Sequence, residues 1–92
     1  MGDVVDNAVL VTVQQALTLH DDAALSLKGN IIGHLGGESY TFKDATGTME
    51  VEIDDEVWRG QQIGPDDPVL ISGEVDRDWR RITIDVDRLV KQ

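Results

Sequence analysis

From Ile82 to Asp87, apolar Ile82, Ile84 and Val86 alternate without a break with Thr83, Asp85 and Asp87. Met49, Val51 and Ile53 alternate in the same way with Glu50, Glu52 and Asp54. Period two sends successive side chains to opposite faces of a strand, so each segment has one buried and one solvated face. A chain of 92 residues has room for one modest core on which such strands can close. The pattern therefore points to a small sheet protein with one wet face.

The other segments fit that plan. Leu25, Leu27, Gly29 and Ile31 alternate with Ser26, Lys28 and Asn30, a third one-sided strand. Gly29 in its middle suits a bulge or sharp coil, which a small barrel needs to bend a strand round itself. Gly36-Gly37 reads as a turn, Tyr40 and Phe42 share one face of the next strand, and Asp44-Ala45-Thr46-Gly47 closes a hairpin. Val69, Ile71 and Val75 mark a further strand, with a turn at Asp76-Arg77-Asp78-Trp79. Before the strands, Thr12 and Gln15 have the spacing of a capping box, and the spacing of Val13, Ala16 and Leu17 predicts a short helix from about Val13 to Leu19. His20-Asp21-Asp22 ends it, with His20 at the helix C-terminus, where a cation is favoured. A second short helix, capped by Asp54 or Asp55 and ended by Gly60, carries Val57 and Trp58. Trp58 reads as a buried plug on the end of the sheet.

The order is thus helix, three strands, short helix, two strands. That is the order of an all-β, five-stranded OB barrel with its connecting helix between the third and fourth strands. An open α+β sheet is the competing architecture. Residues 1–11 read as a mobile lead-in, most of all Met1 to Asn7, and residues 12–92 as the domain.

From Thr12 onward the residues also resemble the BOF family of bacterial OB-fold proteins. The segments that carry the likeness are Leu27-Lys28-Gly29-Asn30-Ile31, Tyr40-Thr41-Phe42-Lys43-Asp44, Val51-Glu52-Ile53-Asp54 with Val57-Trp58, Ile71-Ser72-Gly73-Glu74-Val75-Asp76, Asp78-Trp79 and Ile84-Asp85-Val86. The resemblance implies an OB barrel, export to the periplasm, an association with envelope stress tolerance and no catalysis. The N-terminus shows no basic and apolar leader, and a Met1-Gly2 start in place of a removed presequence accounts for that.

Charge narrows the partners. Eight Lys plus Arg against eighteen Asp plus Glu give a net charge of -10, which repels nucleic acid at long range. Neutral ligands, cations and basic protein surfaces fit better; the plain alternative is charge that only keeps the protein in solution. Glu50 and Glu52 stand on the strand face where single-strand binders place aromatic and basic residues. Tyr40 and Phe42 have core parity, so no stacking platform remains, and no affinity for single-stranded DNA or RNA is expected. No segment approaches the roughly 20 apolar residues of a membrane span, and the chain reads as a monomer.

Chemistry beyond binding is thin. There is no cysteine, and the histidines are His20 and His34 alone. Ser26, Ser39 and Ser72 lack a recognisable histidine and carboxylate partner, so neither catalysis nor a cofactor is expected. Glu50, Glu52, Asp85 and Asp87 lie on neighbouring strands of an OB barrel and form an acidic band. It is either a weak divalent-cation site or, as the bland reading has it, a solvated face. Two loops frame the usual OB cleft: one carries His34 and Glu38, the other Arg77, Trp79 and Arg80. Arg beside a planar ring can hold an anionic or sugar-like ligand by forked hydrogen bonds and stacking. Against this stands a hairpin turn whose arginines pair with nearby aspartates and whose Trp folds back on the barrel. The expected function is a non-enzymatic binding module for a small or envelope-derived ligand; cation buffering and protein–protein adaptation are the alternatives.

Overall fold

The computed structural model describes residues 8–92. In chain order its elements are β1 (Val9–Val11), α1 (Val13–Ala16), β2 (Ala24–Gly36), β3 (Ser39–Asp44), β4 (Gly47–Glu52), α2 (Asp55–Trp58), β5 (Val69–Arg77) and β6 (Ile82–Lys91). The strands are hydrogen-bonded in the order β1-β2-β3-β4-β6-β5, and β2 also pairs with β5. That last pairing closes β2 to β6 into a five-stranded barrel and excludes the open sheet. An edge that finds a partner no longer offers unpaired N–H and C=O groups to other chains.

Gly29 is the pivot of closure. Ala24 to Gly29 pair with β5, whereas from Asn30 onward β2 pairs with β3. At this crossing a Cβ on Gly29 would run into the Lys43 carbonyl oxygen and lie 2.9 Å from Phe42 Cζ. Absence of a side chain is needed here for space, not for an unusual φ. Gly73 does the same where β5 meets β6, because a Cβ there would collide with the Asp85 carbonyl oxygen. Most inward parities hold: Leu25, Leu27, Ile31, Phe42, Met49, Val51, Ile53, Val69, Ile71, Val75, Ile84 and Val86 are buried, but Ile82 is only half-buried, and Ser26 and Thr83, expected on the solvated face, are buried. Tyr40 departs from Phe42 and is only half-buried, since it lies toward the end of the barrel where α2 packs.

Residues 9–11 depart from the lead-in reading. They form a strand parallel to Leu25–Leu27, whose opposite edge is held by β5. β3 begins its pairing only at Asn30, so this stretch of β2 is open to a short extra strand. The part of the lead-in from Met1 to Asn7 lies outside the described residues.

α1 is shorter than its apolar spacing suggests, ending at Ala16 with a turn through Leu19. The capping box forms as read, with Thr12 Oγ1 accepting from the Gln15 N–H (3.2 Å) and Gln15 Oε1 from the Thr12 N–H (2.9 Å). The β3–β4 turn supplies the rest. The Val13 N–H donates to Asp44 Oδ2 (2.8 Å) and the Gln14 N–H to Thr46 Oγ1 (3.1 Å). All four N-terminal donors are thereby satisfied, and the helix is fastened over the barrel end with Val13 and Ala16 buried.

Partial burial opposes ionisation of Asp44, but hydrogen bonds from the Thr46 side chain and the N–H groups of Val13, Thr46 and Gly47 outweigh it. The carboxyl is held below its ordinary value. Its contribution is therefore complete above the unfolded carboxylate pKa, about 3.9, and is lost as pH falls through the lowered folded value. Asp44→Asn should cost about 1–2 kcal/mol at pH 7 and less at pH 3, read from urea denaturation at both. An equal cost at the two pH values would refute the assignment.

α2 is capped by Asp54, whose Oδ1 accepts from the Val57 N–H (3.1 Å). Arg59, not Gly60, is the residue that first turns left-handed, with φ 54°.

Candidate functional site

Asp78 builds the β5–β6 turn. Its Oδ1 accepts the N–H groups of Arg80 (2.8 Å) and Arg81 (3.0 Å), and those bonds hold its carboxyl below the usual value. An aspartate that accepts the amides two and three residues on folds the chain back over itself and leaves the intervening residue at the turn's tip. Trp79 accordingly stands 89% exposed at the tip. It does not fold back on the barrel. The Arg80 guanidinium carbon sits 5.0 Å from the centroid of its ring, in cation–π range.

Arg77 has other work. Its Nη2 donates to the Leu17 carbonyl (2.6 Å) and its Nε to the Leu19 carbonyl (3.1 Å), while its own N–H donates to Asp21 Oδ1 (2.8 Å). It is the cation that satisfies the carbonyls after α1, the place assigned above to His20. His20 instead donates from Nδ1 to the Asp21 carbonyl (2.8 Å). Arg77→Ala should therefore lower stability by about 1–2 kcal/mol, because it leaves two carbonyls short of a charged donor. A melting temperature equal to the parent's would return Arg77 to the ligand-binding set.

His34 and Glu38 lie on the other loop. His34 donates from Nε2 to the Gly37 carbonyl (2.8 Å) and its ring stacks on Tyr40, centroids 4.5 Å apart. Tyr40 meets Trp58 edge-on at 5.2 Å. Trp58 packs against the core but is half-buried, and its indole N–H has no acceptor among the described residues. His34, Tyr40 and Trp58 line one pocket, of ≈ 210 Å³, together with Ile63 and Pro65. Arg80 lines a different one with Asp78 and Arg81. The expected cleft is thus divided: Arg77 is a structural clamp, His34 joins an aromatic stack, Trp79 and Arg80 form an exposed hairpin tip, and Glu38, exposed, belongs to none of these.

The acidic band is real in register but not free. Glu52 is the cross-strand partner of Asp85 on the parallel β4–β6 pair. Arg81, which sequence reasoning left out of the band, reaches Glu52 (3.4 Å) and Glu50 (3.7 Å). A cation three residues into a turn gives no sign in the sequence that it faces β4. Asp87 is exposed, and the β5–β6 register shifts between Ser72 and Gly73, so that it faces no residue of β5. Among the described residues no three metal-ligating side chains converge. Ser26 and Ser72 hydrogen-bond to each other at 2.8 Å and are buried. Among the described residues, no helix is long and apolar enough to cross a membrane.

Comparison with known proteins bears on this arrangement. A model of the bacterial OB fold (BOF) protein family matches residues 2–91. Protein YgiW of Escherichia coli (strain K12) is 44% identical over 85 residues, 92% of this chain and 65% of that protein. The calcium-regulated OB-fold protein CarO of Pseudomonas aeruginosa is 45% identical over 76 residues, 83% of this chain and 66% of that protein. The matched stretch is therefore a little under two thirds of the length of either relative. The solved structure of the hypothetical protein ygiW from E. coli superposes with a TM-score of 0.90 at 42% identity, over 92% of this chain and 91% of that one. Telomere capping protein Ten1 from Saccharomyces pombe superposes with a TM-score of 0.75 at 16% identity, over 92% of this chain and 81% of that one, which shows a shared fold alone.

Proposed function

This chain belongs to the bacterial OB fold (BOF) family, and from that premise we propose that it is a non-enzymatic periplasmic binding module. Its ligand is small or envelope-derived and is taken at the tip of the β5–β6 hairpin. One observation carries the reading: Trp79 is 89% exposed, with the Arg80 guanidinium beside its ring. A tryptophan in the core would contribute its large apolar surface to folding; this one contributes almost none. A ligand with a flat or sugar-like face stacks on the indole, and an anionic group on it takes forked hydrogen bonds from Arg80. Arg77 is left out, because its guanidinium is held by carbonyls.

Two-dimensional NMR titration with a panel of anionic sugars and sugar phosphates tests the site. Shifts should centre on Asp78 to Arg81. Trp79→Ala should abolish them while changing stability by no more than about 0.5 kcal/mol, as exposed substitutions do. Binding that survives Trp79→Ala unchanged would end the proposal. Residence in the periplasm is supported by the likeness of the strand motifs to an exported family, and cell fractionation checks it.

Divalent-cation binding by the acidic band is the second reading, and the description of the P. aeruginosa relative as calcium-regulated favours it. It ranks lower because Arg81 already sits between Glu50 and Glu52 and offsets one of their two charges.

A further inference from the structure

The side chains of four of the eight cations of this chain have a defined partner. Arg77 clamps carbonyls, Arg80 sits on Trp79, Arg81 joins two glutamates and Lys91 reaches Asp67 (3.6 Å). The Arg59 and Arg88 side chains form no hydrogen bond or ion pair among the described residues, but they share a hollow with four carboxylates. Lys28 and Lys43 are different. Both are exposed and neither side chain has a hydrogen bond or ion pair among the described residues. In a chain of net charge -10, these two ammonium groups lie on one surface without a carboxylate bound to either.

Register brings them together. Asn30 is the cross-strand partner of Lys43, and Lys28 precedes it by two residues on β2, so the three share the outer face. They line a pocket of ≈ 500 Å³. Its flank is apolar: Ile32, 43% exposed, is the extra residue of a β-bulge between Ile31 and Gly33, and Pro65 lies across from it. Two carboxylates also border the pocket. Asp44 has both oxygens occupied by Val13 and Thr46, which leaves Asp66 as the only competitor for the lysines.

We propose that this pocket is a second binding site, separate from the hairpin tip, for a small amphiphilic anion. A phosphate or carboxylate head lies between Lys28 and Lys43 with the Asn30 amide donating to it, and a short apolar stem lies along Ile32 and Pro65. Charge-assisted bonds fix the head; removal of the stem from water adds affinity that a bare anion lacks. The head chemistry is shared by free metabolites and by lipid headgroups.

Both sources are tested with the whole chain. Hexyl phosphate and hexanoate are titrated by two-dimensional NMR against hexanol and inorganic phosphate, and phosphatidylglycerol vesicles are used in a sedimentation assay. Saturable shifts at Asn30, Ile32 and Lys43 with the two amphiphilic anions, weaker ones with inorganic phosphate, are the expected result. The double variant Lys28→Gln/Lys43→Gln should weaken binding at least about tenfold, and Asp66→Asn should tighten it. Retention of vesicles identifies a lipid headgroup as the source; binding of hexyl phosphate without retention identifies a free anion. The proposal is overturned if hexanol shifts the same amides equally, if the double variant binds as the parent does, or if neither anion nor vesicle binds. The lysines are exposed, so the variants keep the fold, and dispersed spectra verify it.

Discussion

Phe42→Ala should destabilise the barrel by about 3–5 kcal/mol, the range for deleting a fully buried aromatic side chain. Phe42 is completely buried and is the largest of the side chains with almost no exposure. It enters from β3, opposite Ile31 of β2 and Met49 of β4, at the level where β2 changes partners. Small barrels fill their interior with few side chains, so no neighbour can collapse into the space without moving a strand. Against a total stability of about 5–15 kcal/mol for a domain, such a loss is most of the margin. Chemical denaturation gives the number directly. A loss below about 1.5 kcal/mol would mean that the interior repacks freely.

Gly29→Ala is the second large effect, expected at about 3 kcal/mol. Adding one methyl group usually stabilises a chain by reducing the freedom of its unfolded state. At Gly29 the added Cβ meets the Lys43 carbonyl and the Phe42 ring, and neither can swing away, because one is backbone and the other fills the core. Gly33, four residues along the same strand, is the matched control: its nearest atoms to an added Cβ are those of Thr41 at 4.0 Å. Gly33→Ala should leave stability unchanged or raise it by up to about 1 kcal/mol. Equal losses at the two positions would show that strand propensity, not the crossing of β2 over β3, explains the requirement for Gly29.

Much of the site question depended on long side chains. Trp79 is exposed in a turn where Asp78 holds the amides of Arg80 and Arg81; a turn was legible here, but at Asp76 to Trp79, whereas β5 runs on through Arg77. What Arg77 and Arg81 reach was not legible. Arg77 finds acceptors 58 and 60 residues earlier in the chain, and Arg81 finds glutamates on a strand that is not its sequence neighbour. A guanidinium can reach partners several ångströms away in many directions, so its neighbours in sequence say little about them.

The sequence by itself determined what is local. Period two assigned most of the inward residues of the barrel strands, because a one-residue slip would turn each apolar side chain to water. It missed at Tyr40, Ile82 and Thr83, near strand ends. Thr12 with Gln15, and Asp54, set the helix starts, because orphan N–H groups need an oxygen within one turn. Tertiary structure alone decided the rest. Pairing of β2 with β5 made a barrel out of a meander, and it drew Val9–Val11 onto the remaining edge of β2. It cut α1 back to four residues: the N–H groups of Thr18 and Leu19 bond carbonyls only three residues back, and Arg77 caps the carbonyls of Leu17 and Leu19 beyond that turn. It also placed Lys28 and Lys43 around one pocket. These outcomes depend on which distant edges meet when the sheet closes, and alternation along one strand carries no record of its neighbours.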